Sequence, residues 1–207
     1  MELKDAIRKR RMIRKYDPDR QVPPEVLSEI ARLSLRAPSA GFSQGWDFLA
    51  LQGSERDPFW AAMASENWPG SWLAGVRSAP TLIVCLSDKS TYLKRYQEKD
   101  KPFQDGEEKH WPVFYWDVDT GMAAMLMLLL AVDADLGALF FGVQVEDLPA
   151  VRSALGIPQD RNIVGVVALG YSAEEKSTGS PRKRARRGVD EVFHSGRFGS
   201  PFSPQKP

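Results

Sequence analysis

Two dense groups of basic side chains are the residues of this sequence best suited to binding a ligand. The first group comprises Arg8, Lys9, Arg10, Arg11, Arg14 and Lys15, and the second comprises Arg182, Lys183, Arg184, Arg186 and Arg187. A guanidinium offers paired donors to a phosphate or carboxylate, and each charge-assisted hydrogen bond contributes about 1.5–3 kcal/mol. Anion capture is therefore one interpretation. The other is a solvated basic face and a basic tail, which charge alone favours.

A run of small residues between Ala37 and Trp46 is the second feature. Its sequence is Ala-Pro-Ser-Ala-Gly-Phe-Ser-Gln-Gly-Trp, after an amphipathic helical pattern and before a predicted strand. Small side chains let a ligand approach the backbone closely. The same composition is typical of a tight helix-to-strand turn, and spacing alone favours that interpretation.

Other chemistry is poorly supplied. The chain has one cysteine, Cys85, and two histidines, His110 and His194, that lie far apart in sequence. It has no GxGxxG or GxxxxGK[ST] nucleotide motif and no HExxH metal motif. If the protein is an enzyme, we expect a cofactor to carry the chemistry.

Composition excludes several classes of protein. The 207 residues carry 28 basic and 27 acidic side chains, a net charge of +1, which excludes a generally basic nucleic-acid binder. A single cysteine excludes an intramolecular disulfide framework. The start, MELKDAIRKRR, lacks the apolar region of a secretion signal. We expect one cytoplasmic domain over 1–207, with no nucleic-acid or membrane partner and no metal.

The most apolar segment is Gly121–Val132, which holds no charged residue. A bilayer span needs about 20 apolar residues, so this segment is too short. A helix that is apolar on every face must be buried on every face. We therefore predict a helix in the core or between two subunits.

The remaining pattern predicts a mixture of helices and strands. Short helices are expected around Leu3–Ile7, from Pro24 to the stop at Pro38, and over Glu146–Leu155 before Gly156. Strands are expected at Trp46–Leu51, Pro80–Leu86, Leu139–Val143 and Ile163–Leu169. This order indicates an α+β or α/β layered domain. The charged and aromatic segment 88–116 and the polar segment 172–207 stand apart, the first as an insertion and the second as a tail.

Taken in order, these segments resemble the flavin-dependent nitroreductase family. The resemblance rests on Arg10-Arg11-Met12-Ile13-Arg14, Val22-Pro23, Ala37-Pro38-Ser39 with Gln44 and Trp46, Ala79–Val84, Asp119–Ala134, Leu136–Gly142, Gly170-Tyr171 and residues 186–192. Each motif is weak by itself, but together they cover nearly the whole chain. The resemblance implies an α+β fold with a central mixed β-sheet flanked by helices. It also implies an intertwined homodimer that binds FMN at the subunit interface.

The resemblance also assigns a cofactor site. Its residues would be Arg10, Arg11, Met12, Arg14, Pro38, Ser39, Ala40, Phe42, Gln44, Phe141, Gly142, Arg184 and Arg186. The arginines would hold the flavin phosphate and ribityl chain, and the turn at 38–40 would come from the other subunit and border the isoalloxazine. Gly142 would place its backbone N–H near flavin N5, and Arg14 would lie near the N1–O2 edge. No side chain need be catalytic, since flavin N5 carries the hydride.

Several positions depart from the family pattern. Met12 replaces a serine, Phe42 an asparagine and Gly45 a common proline, while Phe140 and Phe141 replace smaller or polar groups. These changes predict an apolar, aromatic-lined substrate pocket. Residues 88–116 would form a lid over it, with Trp111, Phe114, Tyr115 and Trp116 closing the pocket.

The resemblance implies an oxidoreductase that takes hydride from NAD(P)H and reduces an electron-poor aromatic acceptor, of nitroaromatic or quinone type, in a ping-pong cycle. One alternative is a specialised flavin enzyme of the same fold, either a dehydrogenase or oxidase or a deazaflavin-linked reductase. Another is a flavin-binding protein without turnover, in which Met12 and Phe42 mark lost catalysis.

Overall fold

The computed structural model describes residues 1–64, 68–174 and 184–204. The chain divides into two compact units, Met1–Glu174 and Glu175–Pro207. The first unit contains every strand of the described sheet and seven helices. The helices are α1 (Leu3–Lys9), α2 (Pro24–Ser34), α3 (Asp57–Ala62), α4 (Gly70–Arg77), α5 (Lys89–Tyr96), α6 (Tyr115–Asp133) and α7 (Leu148–Leu155). The strands are β1 (Trp46–Gln52), β2 (Thr81–Asp88), β3 (Gly137–Phe141) and β4 (Arg161–Gly170).

Local sequence explains most of these boundaries. Pro24 occupies the first turn of α2, where its missing N–H costs nothing. Gly156 ends α7 with the left-handed backbone (φ 64°, ψ 28°) that glycine adopts without strain. Strand β4 contains the predicted β-branched run, and β3 begins two residues before its predicted start. The prediction of an α+β fold is confirmed.

The sheet has the order β1-β2-β4-β3, with every neighbouring pair of strands antiparallel. Among the described residues, the one parallel pairing is an isolated bridge between Met12 and Ala138 on the free edge of β3. The expectation of a mixed sheet is therefore wrong for the described strands. The segment that would add a parallel strand makes a single bridge there, because it soon bonds instead to residues 171–174.

Two hydrophobic layers cover the sheet. One contains α3 and α4 and is filled by Phe59, Trp60, Val76 and Phe141, together with residues of α7. The other contains α2 and α6. Every residue of β2 is buried, as expected for a central strand covered on both faces.

Helix α6 is the predicted apolar helix, and it extends over 19 residues. It is the single helix in the described parts of the chain that is long and apolar enough to cross a membrane. It packs on all four strands and on α1 and α2, which is the position of a core helix. One side remains exposed, with Met122 and Met125 on its surface.

The second unit contains the short helix α8 (Val189–Val192) and an isolated bridge between His194 and Pro201. The rings of Phe193 and Phe202 lie 5.4 Å apart. The prediction that this region is a polar tail therefore misses a small ordered element in it.

Candidate functional site

The first basic group continues from α1 into an extended segment, residues 10–16, that we call the basic rail. Met12 forms the parallel bridge to Ala138 of β3, and the Ile13 N–H donates to the Ala138 carbonyl at 2.9 Å. Tyr16 bridges to Ser172. The rail therefore meets the edge of β3 at Ala138 and then pairs with the residues that follow β4.

Helix α4 presses on the rail from the side. A Cβ added at Gly75 would lie 2.3 Å from the Arg14 carbonyl oxygen, so the backbones meet at a distance that only glycine permits. The Tyr16 N–H donates to Ser78 Oγ at 2.9 Å, and the Tyr16 hydroxyl donates to the Ile13 carbonyl at 2.8 Å. Burial raises the pKa of Tyr16, which keeps this hydroxyl a donor. The rail is a fixed element and not a loose basic terminus.

The arginines of the rail have different surroundings. Arg10 Nη1 is buried and has no hydrogen-bond partner within the described ranges. Arg14 Nη1 donates to the Met12 carbonyl at 2.9 Å. Arg11 lines a separate cavity of about 200 Å³, together with Lys9 and Ile13. A buried donor without a partner costs about 1–3 kcal/mol, more when charged, so Arg10 is suited to an anionic ligand.

The end of β3 combines a buried ring with an open backbone. Phe141 is stacked with Trp60 at 6.2 Å and meets Trp72 edge-on at 5.5 Å. The ring of Phe140 packs against Gly165, where a Cβ would lie 2.4 Å from it. Phe141 is buried under the aromatic layer, whereas Phe140 is half-buried on the other face of the sheet. A Cβ at Gly142 would meet nothing within 4 Å, so the backbone after β3 is open to a ligand.

The small-residue run forms a tight turn between α2 and β1, as its spacing indicates. Residues Ala40–Phe42 make one 3-10 turn. The Gln44 N–H donates to Ser39 Oγ at 3.0 Å, and the Ala40 N–H donates to Asp119 Oδ2 on α6, also at 3.0 Å. Pro38 precedes this turn and is exposed.

Asp119 is buried at the back of this turn. Burial raises the pKa of its carboxyl group, and the hydrogen bond from Ala40 only partly offsets that effect. From the other side, Arg95 Nε on α5 donates to the Gly41 carbonyl at 2.9 Å. Arg95 is itself held by a bidentate pair with Asp100 at 2.7 and 2.8 Å. Sequence reasoning missed both Asp119 and Arg95, because each lies far from the turn along the chain.

Gly41-Phe42-Ser43-Gln44-Gly45 also matches the GxSxG pattern of serine hydrolases. The structural context differs, since the nucleophile elbow joins a strand to a helix and this turn joins a helix to a strand. Ser43 Oγ is buried and has no hydrogen-bond partner in the described part of the chain. No base activates it there, so the match carries no hydrolase chemistry.

Within one chain, the structure does not bring all the predicted site residues together. The rail meets the edge of β3 at Ala138 and Gly142 follows the end of that strand, whereas the turn contacts α5 and α6. Arg184 and Arg186 are exposed and belong to the second unit, so their role stays a prediction. Arg182 and Lys183 lie outside the described residues.

The aromatic residues of segment 88–116 pack mainly on one another. Trp111 lies edge-on to Tyr92 and Tyr96 at 5.0 and 4.5 Å, and Phe114 stacks on Trp116 at 5.2 Å. Phe114 and Trp116 also border a cavity of about 380 Å³ that Lys89, Asp117 and Arg161 help to line. The predicted lid is a folded aromatic cluster, and its closing over a substrate stays a prediction. Among the residues described, no three His, Cys, Asp or Glu side chains are grouped to hold a metal.

The residues that are present fit an anionic, planar cofactor such as FMN. The Nη1 atom of Arg10, which is buried and has no hydrogen-bond partner in the described part of the chain, supplies a donor for an anion. The open backbone at Gly142 leaves room for a flat ring system after the end of β3.

Comparison with known proteins identifies the family of the chain. A model of the nitroreductase family matches residues 7–171. A provisionally named NADH dehydrogenase/NAD(P)H nitroreductase of Archaeoglobus fulgidus is 31% identical over 169 residues, which cover 81% of this chain and 83% of that protein. An NADH dehydrogenase of Thermus thermophilus is 32% identical over 194 residues, with 84% and 89% covered.

Solved structures show the same fold. A provisionally assigned nitroreductase of Desulfovibrio desulfuricans, in complex with FMN, superposes with a TM-score of 0.70 at 22% identity, over 98% of this chain and 99% of that one. An FMN-dependent nitroreductase of Clostridium difficile gives a TM-score of 0.67 at 24% identity, with 93% and 98% covered. The family model spans most of the chain, and the fold agrees with it: the chain belongs to the nitroreductase family.

Proposed function

We propose that the protein is an FMN-dependent oxidoreductase that takes hydride from NAD(P)H and passes two electrons to an electron-poor aromatic acceptor in a ping-pong cycle. Bound FMN would supply the hydride-accepting and hydride-donating centre, N5. A quinone takes up two electrons and two protons; a nitro group takes up the same and loses water to become a nitroso group. One proton arrives with the nicotinamide hydride, and solvent supplies the other.

The single observation that carries this proposal is the Nη1 atom of Arg10, which is buried and has no hydrogen-bond partner among the described residues, on a rail that is fixed to β3. Arg10 is assigned to the flavin phosphate. Arg14 is assigned to the N1–O2 edge, where a cation stabilises negative charge. Gly142 contributes its backbone N–H. These residues bind and orient the cofactor, while the aromatic layer behind Phe141 keeps water from that side of the site.

A second copy of this chain is the proposed partner. Leu3 and Ile7 of α1 are 64% and 53% exposed. On α6, Met122 and Met125 are also exposed, although residues between them on the helix are buried. Leu3 also lines a largely apolar cavity of about 400 Å³ with Leu126 and Leu129. An apolar surface of this kind is typical of an interface between subunits. In a homodimer formed there, the turn at Ser39 and Ala40 would complete the partner's flavin site. The proposed location of the enzyme is the cytoplasm.

The proposal is tested by titrating apoprotein with FMN and following the quenching of flavin fluorescence. Arg10→Ala removes one charge-assisted hydrogen bond, worth about 1.5–3 kcal/mol, and should weaken binding roughly ten- to 150-fold. Arg8→Ala is the matched control, because Arg8 is exposed and pairs only with Asp5 within the described chain. Equal affinity of the two variants would contradict the assignment of Arg10.

The same preparation distinguishes the alternatives. Rapid oxidation of NADH or NADPH with menadione or nitrofurazone as acceptor supports the reductase. Flavin that dithionite reduces, but neither nicotinamide does, indicates a binding protein without turnover. Reduction by an organic substrate, with oxygen as the sole reoxidant, indicates a dehydrogenase or oxidase.

A further inference from the structure

Phe42 is an exposed aromatic residue in a backbone conformation that disfavours it. Its φ is 55°, in the left-handed region, and 74% of its surface is exposed. Gly41, just before it, and Gln44, two residues after it, also have positive φ, at 63° and 51°. Glycine, asparagine and aspartate adopt this conformation readily, whereas a bulky residue is an outlier there. The conformation therefore costs folding free energy, and the exposed ring gains no burial that would offset this cost.

The turn that carries Phe42 is held from three sides. Asp119 binds the Ala40 N–H, and Arg95 binds the Gly41 carbonyl. A Cβ at Gly41 would lie 3.0 Å from the ring of Tyr96, so α5 leaves little room for the turn to move. The backbone of Phe42 itself is fixed by a hydrogen bond from its N–H to the Ser39 carbonyl at 2.9 Å. The ring thus projects from a rigid support.

Contacts within the chain do not explain this projection. No aromatic ring within the described ranges lies against Phe42, although aromatic pairs are frequent nearby on α5. Strained, exposed residues on well-supported turns are typical of ligand contacts. A flat apolar ring offers a ligand a stacking surface and little else, so the ligand it fits is another flat ring.

We propose that Phe42 is a specificity-determining residue that stacks on the aromatic acceptor in the partner subunit's flavin site. This inference rests on the proposed function, in which the turn borders that site. It goes further in assigning the preference for aromatic over non-aromatic acceptors to one side chain. Phe42→Leu is the informative variant, because leucine keeps the strain and the apolar character and removes the ring.

The test uses the FMN-loaded protein and two carboxylates of equal charge, benzoate and cyclohexanecarboxylate. Their Kd values for the oxidised protein are measured by calorimetry, so the result does not depend on turnover. The wild-type protein should prefer benzoate, and Phe42→Leu should weaken benzoate about two- to twelve-fold while leaving cyclohexanecarboxylate unchanged. KM for menadione should rise by a similar factor, with KM for ferricyanide unaffected.

A second variant, Phe42→Asn, separates this role from a structural one. Asparagine relieves the strain, so its Tm should be equal to or above the wild-type value while the preference for benzoate is lost. If both variants keep the wild-type preference, or if they become monomers by light scattering, Phe42 does not contact the ligand and the inference is overturned. If the wild-type protein binds no FMN, the proposed function fails as well, and the titration with FMN shows that before any carboxylate is added.

Discussion

Gly75→Ala tests whether α4 determines the position of Arg14. The new Cβ would lie 2.3 Å from the Arg14 carbonyl oxygen, whereas ordinary contacts begin at about 3.4 Å, so the two backbones must separate by about 1 Å. The rail cannot yield freely. The Ile13 N–H is bonded to the Ala138 carbonyl, and the Lys15 carbonyl accepts from the Ala173 N–H at 3.0 Å.

Two magnitudes follow from this geometry. Overpacking of this size should reduce the free energy of unfolding by about 1–3 kcal/mol. A displacement of about 1 Å at Arg14 is enough to lose one charge-assisted hydrogen bond to the flavin, which would weaken FMN binding roughly ten- to 150-fold. The first quantity is measured by urea unfolding of the apoprotein, and the second by fluorescence titration with FMN.

Gly70→Ala is the control, because it adds the same methyl group to the same helix where nothing lies within 4 Å. It should leave FMN affinity unchanged and change stability by no more than about 1 kcal/mol. Wild-type affinity in Gly75→Ala, together with a clear loss of stability, would show that Arg14 does not contact the flavin. Wild-type values for both quantities would refute the close packing of α4 on the rail.

Three further predictions concern single residues. Burial raises the pKa of Cys85 to about 12, so the native protein should not react with DTNB at pH 8, and prompt reaction would contradict the buried strand. Burial raises the pKa of Asp119 above its ordinary 3.8, so the folded state binds more protons there than the unfolded state does. The free energy of unfolding should therefore fall as the pH rises from the ordinary pKa through the raised one, and level off above it. Asp119→Asn should remove this pH dependence, which is measured by urea unfolding at several pH values. An unchanged pH profile would show that Asp119 is not its source. Tyr16→Phe leaves the buried Ile13 carbonyl without its 2.8 Å donor and should cost about 1–3 kcal/mol; a loss below 0.5 kcal/mol, by the same approximate scale, would show that the hydroxyl is not needed.

Much of the fold followed from local features of the sequence. Pro24 and Gly156 bound helices because their backbone preferences act within one turn, and the β-branched run of β4 favours a strand wherever it is placed. The length of Gly121–Val132 and its uniform apolarity predicted a buried helix, and α6 is buried on one side while Met122 and Met125 remain exposed. Antiparallel pairing of all four strands did not follow, since pairing depends on partners far along the chain.

The candidate site was also predictable from the sequence only in part. The types of residue that could bind an anion and the small-residue turn were visible in the sequence. The sequence did not show the contact of Gly75 with Arg14, the hydrogen bond from the Ala40 N–H to Asp119, or the packing that covers Phe141. Each joins residues dozens of positions apart, and a side chain's burial depends on what packs over it. Residue type and spacing therefore predicted the chemistry available, while the tertiary structure decided which groups are buried, fixed or exposed to a ligand.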